Sequence, residues 1–185
     1  VEALDLMGVR AQLIYPPGGG EFRINSDQAR ARTRRLNDYA LSFQARAKGR
    51  ISIACHMNMH DVQWTMEETK RVIKGGAKAI QLPCAVPPGG VSPAHSTWDP
   101  FWAMLAEANV PAILHLGGAG LLNGDDATDP AYPARNWGNA ESLRKAPPER
   151  AGGDEAISPY FILITHQAAE LYLVCMVMGG VFERH

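Results

Sequence analysis

Strand-length apolar runs alternate along this chain with amphipathic helical stretches, and four such strand–helix steps are visible. Turns from a helix into the next strand are short, whereas loops from a strand into the next helix are long. That asymmetry belongs to a (β/α)8 TIM barrel, whose short turns hold the fold together and whose long loops build its site. Four strands do not close an eight-stranded barrel, and both ends fall inside helical patterns. The expected fold is therefore α/β: an incomplete portion of a (β/α)8 barrel, read as one partial domain over residues 1–185. An open doubly wound sheet is the other arrangement this rhythm allows.

The elements follow in order. Leu4 and Met7 carry the last turns of a helix that Gly8 terminates, and Ala11 to Tyr15 form a strand stopped by Pro16. After the Pro17–Gly20 loop, Asn25 or Ser26 caps a long helix from Asp27 to Ala47, with Leu36, Tyr39, Ala40 and Phe43 at helical spacing. Its Arg30, Arg32, Arg34 and Arg35 read as a solvated face, since no aromatic interleaving accompanies them. Ile51 to Cys55 give the second strand, and a helix capped by Asp61 runs to Lys74, where Gly75 and Gly76 stop it. Ala77 to Leu82 make the third strand, halted by Pro83 and followed by a proline- and glycine-rich loop to Thr97. Asp99 with Pro100 reads as a cap and first-turn proline, opening a helix to Asn109 on Phe101, Leu105 and Ala108. Pro111 then leads into a fourth strand, Ala112 to Leu114, that ends at His115.

Composition narrows the function. Of 185 residues, 46% are hydrophobic and 20% charged, a globular balance long enough to bury a core. The formal net charge of -1 gives no reason to expect nucleic acid or an anionic membrane surface as partner. A small molecule is the expected one. Cys55, Cys84 and Cys175 are odd in number and widely spaced, which points to buried thiols in a reducing, cytoplasmic compartment rather than a disulfide framework. The apolar parts of Ile157 to Phe182 are each too short to span a bilayer, which takes about 20 residues. The Leu171–Val181 run reads as a buried or interface helix, so a homodimer and a covering by other parts of the same protein are both open.

His115 is the leading candidate for chemistry. It stands at a strand's C-terminal end, and Gly117, Gly118 and Gly120 after it let a ligand approach the backbone. A neutral imidazole there is suited to a divalent metal, and activation of a water would be the metal's purpose. The structural reading is a core histidine satisfied by a backbone carbonyl. A dinucleotide fingerprint fails, because Asn123 occupies the third glycine position and no helix follows. His56 and His60 are four apart, but Met57 stands where a zinc-protease glutamate would be. His56 is therefore a pocket-lining candidate and His60 a helix-start residue. His95 is expected in an exposed loop. His166 precedes an apolar helix, where it faces a pocket or serves capping and packing. The long Leu121–Ser158 loop is lid-like, with Tyr132, Arg135 and Trp137 available to line a pocket mouth. No G-x-S-x-G elbow occurs.

Several stretches in series resemble the amidohydrolase-related metal-dependent hydrolases, the group of aminocarboxymuconate semialdehyde decarboxylase and the resorcylate decarboxylases. They are Ala3 to Arg10 leading into Leu13 to Pro16, Leu36 to Tyr39, Gly49 to Ile51, Gly75 to Pro83, Trp98 to Trp102, Val110 to Gly118 and Gly179 to His185. The resemblance implies a (β/α)8 barrel holding one catalytic divalent metal, zinc or manganese, at the strands' C-terminal ends. It matches His115 to a mid-chain histidine ligand. The family's other ligands and its proton-transfer histidine have no counterpart in these 185 residues. The implied activity is hydrolysis or decarboxylation of a small organic acid, aromatic or muconate-type. Substrate contacts are expected from His56, Gly117, Gly118, Trp137 and His166. The rival reading is a non-catalytic small-molecule-binding barrel that has lost its metal.

Overall fold

The structure, a computed structural model, describes residues 2–16, 24–84, 87–115 and 166–185. Its elements are α1 (Glu2–Leu6), β1 (Gln12–Ile14), α2 (Asp27–Arg46), β2 (Ile51–His56), α3 (Val62–Lys74), β3 (Ala79–Leu82), α4 (Asp99–Glu107), β4 (Ala112–Leu114), α5 (Gln167–Met178) and α6 (Val181–Arg184). The four strands lie in the order β1-β2-β3-β4, and every pair is parallel. Sequential parallel order with a helix after each of the first three strands is the arrangement of consecutive barrel units.

Local chemistry sets the boundaries. Ser26 accepts a hydrogen bond from the Ala29 amide at 3.1 Å and starts α2. Asp61 Oδ1 accepts from the Trp64 amide at 2.7 Å and starts α3. Gly76, at φ 91°, makes the turn from α3 toward β3 in a conformation only glycine adopts without strain. Two expectations change. Helix α4 is preceded by a 3-10 turn over Ser96–Trp98, so Asp99 is the first helical residue and not a side-chain cap. Its carboxylate instead accepts from Arg184 Nη2 at 2.9 Å, and His185 Nε2 lies 3.3 Å away. The arginine face is only partly solvated: Arg34 Nε pairs with the buried Glu68 Oε2 at 2.9 Å and its guanidinium lies 5.9 Å from the Trp64 ring.

Side chains alternate across a sheet, so register sorts the strand residues onto two faces. One face carries Ile14, Ile51, Ile53, Cys55, Ile80, Leu82 and Leu114, and all of these pack into the hydrophobic core. Val72 from α3 and Phe101, Trp102 and Leu105 from α4 complete that core. Phe101 is fully buried, with edge-on contacts to Trp98 and Trp102 at 5.9 and 4.9 Å. Both indoles donate to the loop after β3, Trp98 to the Pro88 carbonyl and Trp102 to the Pro93 carbonyl, which fixes that loop over α4. Leu13, Tyr15, Ser52, Ala54, His56, Ala79, Gln81, Ile113 and His115 belong to the other face, and none joins this core.

Cys55 is buried, whereas Cys84 and Cys175 are partly exposed, and all three are free thiols. Among the described residues no helix is long and apolar enough to cross a membrane.

Candidate functional site

Because all four strands are parallel, their C-terminal ends share one edge of the sheet. Tyr15 follows β1, His56 ends β2, Gln81 lies one residue from the end of β3, and His115 follows β4. His56 is the register partner of Gln81, and Gln81 of Ile113, two residues before His115. Four polar or aromatic heads thus stand on the face opposite the core. The Tyr15 and His115 rings meet edge-on, 5.6 Å between centroids. Their strands are separated by β2 and β3, three spacings that a flat sheet would extend to about 14 Å. The sheet therefore curves toward this face, as a barrel wall curves about its lumen.

His56 is held from two sides. The Asn37 amide of α2 accepts from the His56 backbone N–H and donates to its carbonyl, each at 2.9 Å, taking the place of a neighbouring strand residue. Its imidazole Nε2 lies 3.0 Å from the Pro16 carbonyl, which only accepts, so that nitrogen carries a proton. Asn37 also donates to Glu68 Oε1 at 2.9 Å. Glu68 has no exposed side-chain surface and receives Arg71 through Nε at 2.8 Å and Nη2 at 2.7 Å, with Arg34 bound at 2.9 Å. Burial raises the Glu68 pKa, but the bonds from Arg71, Asn37 and Arg34, together with the Arg71 charge, hold it below the usual carboxylate range. The Arg71 guanidinium is in turn held more firmly protonated, chiefly by its bond to Glu68.

The His115 side chain is exposed, and its backbone carbonyl accepts a weak bond from Cys84 Sγ at 3.3 Å. Burial pushes the Cys84 thiol up and, more strongly, pushes Cys55 to about 12. Gln81 Oε1 is buried with no hydrogen-bond partner. His60 Nε2 shares that condition in the loop between β2 and α3, just before the Asp61 cap. His95 is exposed and bonds Thr97, as expected of a loop histidine. His166 precedes α5 with an exposed side chain, its Nε2 3.6 Å from Glu170 Oε1. Gly117, Gly118 and Trp137, the remaining expected substrate contacts, and the Leu121–Ser158 loop lie outside the described residues.

Among the described residues, no three His, Cys, Asp or Glu side chains converge as a metal site. His115 contributes one accessible imidazole, a donor suited to zinc or manganese, and a complete shell needs further ligands from elsewhere. Sequence reasoning singled out His115 and His56 but missed Tyr15, Gln81 and the Asn37–Glu68 support. The signal for the first two was period-two alternation, which becomes readable once strand register is known.

Residues 7–185 match the amidohydrolase family. The chain belongs to that family. Among solved structures it is similar to 2,6-dihydroxybenzoate decarboxylase from Rhizobium, with TM-score 0.71 and 16% identity over 100% of this chain and 51% of that one. An amidohydrolase from Mycobacterium avium subsp. paratuberculosis gives TM-score 0.69 and 24% identity over 100% and 44%. For 5-carboxyvanillate decarboxylase from Sphingomonas paucimobilis the TM-score is 0.60 at 17% identity, over 98% and 46%. At these identities the likeness establishes the fold, an incomplete (β/α)8 barrel. The chain spans about half the length of these structures. Comparison with curated protein sequences returns no match.

Proposed function

We propose that this chain forms part of a metal-dependent enzyme that hydrolyses or decarboxylates a small organic acid, aromatic or muconate-type. The observation that carries the reading is the position of His115, accessible at the C-terminal end of β4 on the concave face of an amidohydrolase sheet. In this reading His115 is one ligand of a single divalent metal, zinc before manganese. Such a metal, when bound, polarises a carboxylate or carbonyl oxygen or lowers the pKa of a water.

The chain's own residues then divide the remaining work. Tyr15, edge-on to His115, limits rotation of the ligand ring. His56, tied to the Pro16 carbonyl and backed by Asn37, forms a fixed wall of the pocket. Gly117, Gly118, Trp137 and His166 are the further substrate contacts we assign. The similarity to a decarboxylase crystallised with 2,6-dihydroxybenzoate makes hydroxylated aromatic acids the first substrates to try. Three free thiols support a reducing, cytoplasmic setting. The exposed Leu171, Val174, Val177 and Met178 of α5 support self-association as a homodimer.

The test is turnover of 2,6-dihydroxybenzoate, followed by CO2 release, before and after chelation. We expect CO2 release that chelation abolishes and added zinc restores. Water incorporation into product without CO2 release assigns the hydrolytic branch. Turnover that survives complete metal removal, or a metal-free protein that binds the acid without turning it over, contradicts the metal-enzyme reading.

A further inference from the structure

Among the described residues of the strand-end face, Gln81 carries the one buried side-chain atom with no hydrogen-bond partner. Its Oε1 is removed from water and accepts no bond. Leaving such an acceptor unpaired costs about 1–3 kcal/mol, so it persists where a ligand or trapped water supplies the donor. Its surroundings on that face favour a ligand. Ala54 and Ala79, fully buried on the same face below His56 and Gln81, present only methyl groups beside the carboxamide. Ile113, its register partner on β4, offers an apolar side wall. His115 lies two residues further along β4, which sets Gln81 about 7 Å deeper along the strand axis.

From this juxtaposition we propose that Gln81 is a specificity-determining residue whose Oε1 accepts a hydrogen bond from a hydroxyl at the far end of a bound carboxylic acid. The proposal rests on the reading in which the acid's carboxylate is held near His115. A hydroxyl placed across a ring from the carboxylate spans a length comparable to the offset between the two residues. An acid without that hydroxyl leaves Oε1 buried and unpaired, and that penalty is the source of the discrimination.

The experiment is calorimetric titration of the zinc-loaded whole enzyme, which supplies the remaining ligands, with 4-hydroxybenzoate and with benzoate. The unmutated protein is expected to bind the hydroxylated acid about 10-fold more tightly. Gln81→Met, close in shape but unable to accept strongly, is expected to bring the two acids within about 2-fold of one another. Gln81→Leu is run in parallel, and thermal melting confirms that each variant is folded. His115→Ala serves as the separate arm: it is expected to weaken both acids by the same factor and to lower bound zinc. A preference lost in the Gln81 variants while His115→Ala alters neither zinc content nor binding upholds Gln81 and overturns the metal reading. A preference retained in a folded Gln81 variant overturns the role of Gln81, as does absence of any preference, or of binding by either acid, in the unmutated protein.

Discussion

The two faces of the sheet are built on opposite terms. Toward the helices, isoleucine, leucine and aromatic side chains close around Phe101; among the described residues the one buried carboxylate, Glu68, is met by two guanidinium groups and an amide, and the Tyr172 hydroxyl is left without a partner. Toward the concave side, Leu13, Ala54, Ala79 and Ile113 precede Tyr15, His56, Gln81 and His115, and the buried Gln81 Oε1 is left unpaired. The difference separates stability from function. Close packing and the Glu68 network hold the strands in register, and accessible or unpaired heads at the strand ends remain available to a ligand.

That contrast is sharpest under substitution. Phe101→Ala empties a site with no exposure and is expected to cost about 3–5 kcal/mol of unfolding free energy, measured by chemical denaturation. Glu68→Gln removes the charge that Arg34 and Arg71 share, and a loss of about 3 kcal/mol is expected at neutral pH. Its pH dependence carries a definite sign. The Glu68 pKa is lowered on folding, so its contribution is complete above the ordinary carboxylate range and fades as pH falls through the lowered native value. Denaturation curves from pH 6 downward should therefore fall more steeply for the unmutated protein than for Glu68→Gln. Equal slopes would remove the carboxylate from the account of core stability.

The smallest expected effect is chemical rather than energetic. Cys55 is buried on the core face with its thiol pushed to about 12, and Cys84 and Cys175 are partly exposed. Iodoacetamide under native conditions should label Cys84 and Cys175 and leave Cys55 unmodified until the protein unfolds, as read by peptide mass spectrometry. Prompt labelling of Cys55 would mean that the core face opens under native conditions.

Much of the fold was legible because its signals are local. Ser26 and Asp61 cap the helices they precede, Gly8 and Gly76 turn the chain, and the alternation of strands and helices follows from apolar periodicity. The Asp99–Pro100 pair misled for a reason outside its own segment. Its carboxylate is drawn to Arg184 and His185, 85 and 86 residues away in sequence, while a 3-10 turn starts the helix. Glu68 in a helix beside Lys70 and Arg71 carries the pattern of a solvated residue, and only the packing of α2 against α3 reveals it as buried, with Arg34 as its partner. The site was half legible. A histidine followed by glycines marks a strand end by itself, whereas Tyr15 and Gln81 join it only through register across neighbouring strands.

The most direct test is the zinc content and thermal melting of His115→Ala beside the unmutated protein, each prepared as the whole enzyme that supplies the remaining ligands, loaded with zinc and desalted. The unmutated protein is expected to retain stoichiometric zinc, and His115→Ala to lose most of it while the metal-stripped forms of both melt at the same temperature. Full zinc retention by His115→Ala would contradict the assignment of His115 as a ligand, and with it the division between a stabilising face and a functional one.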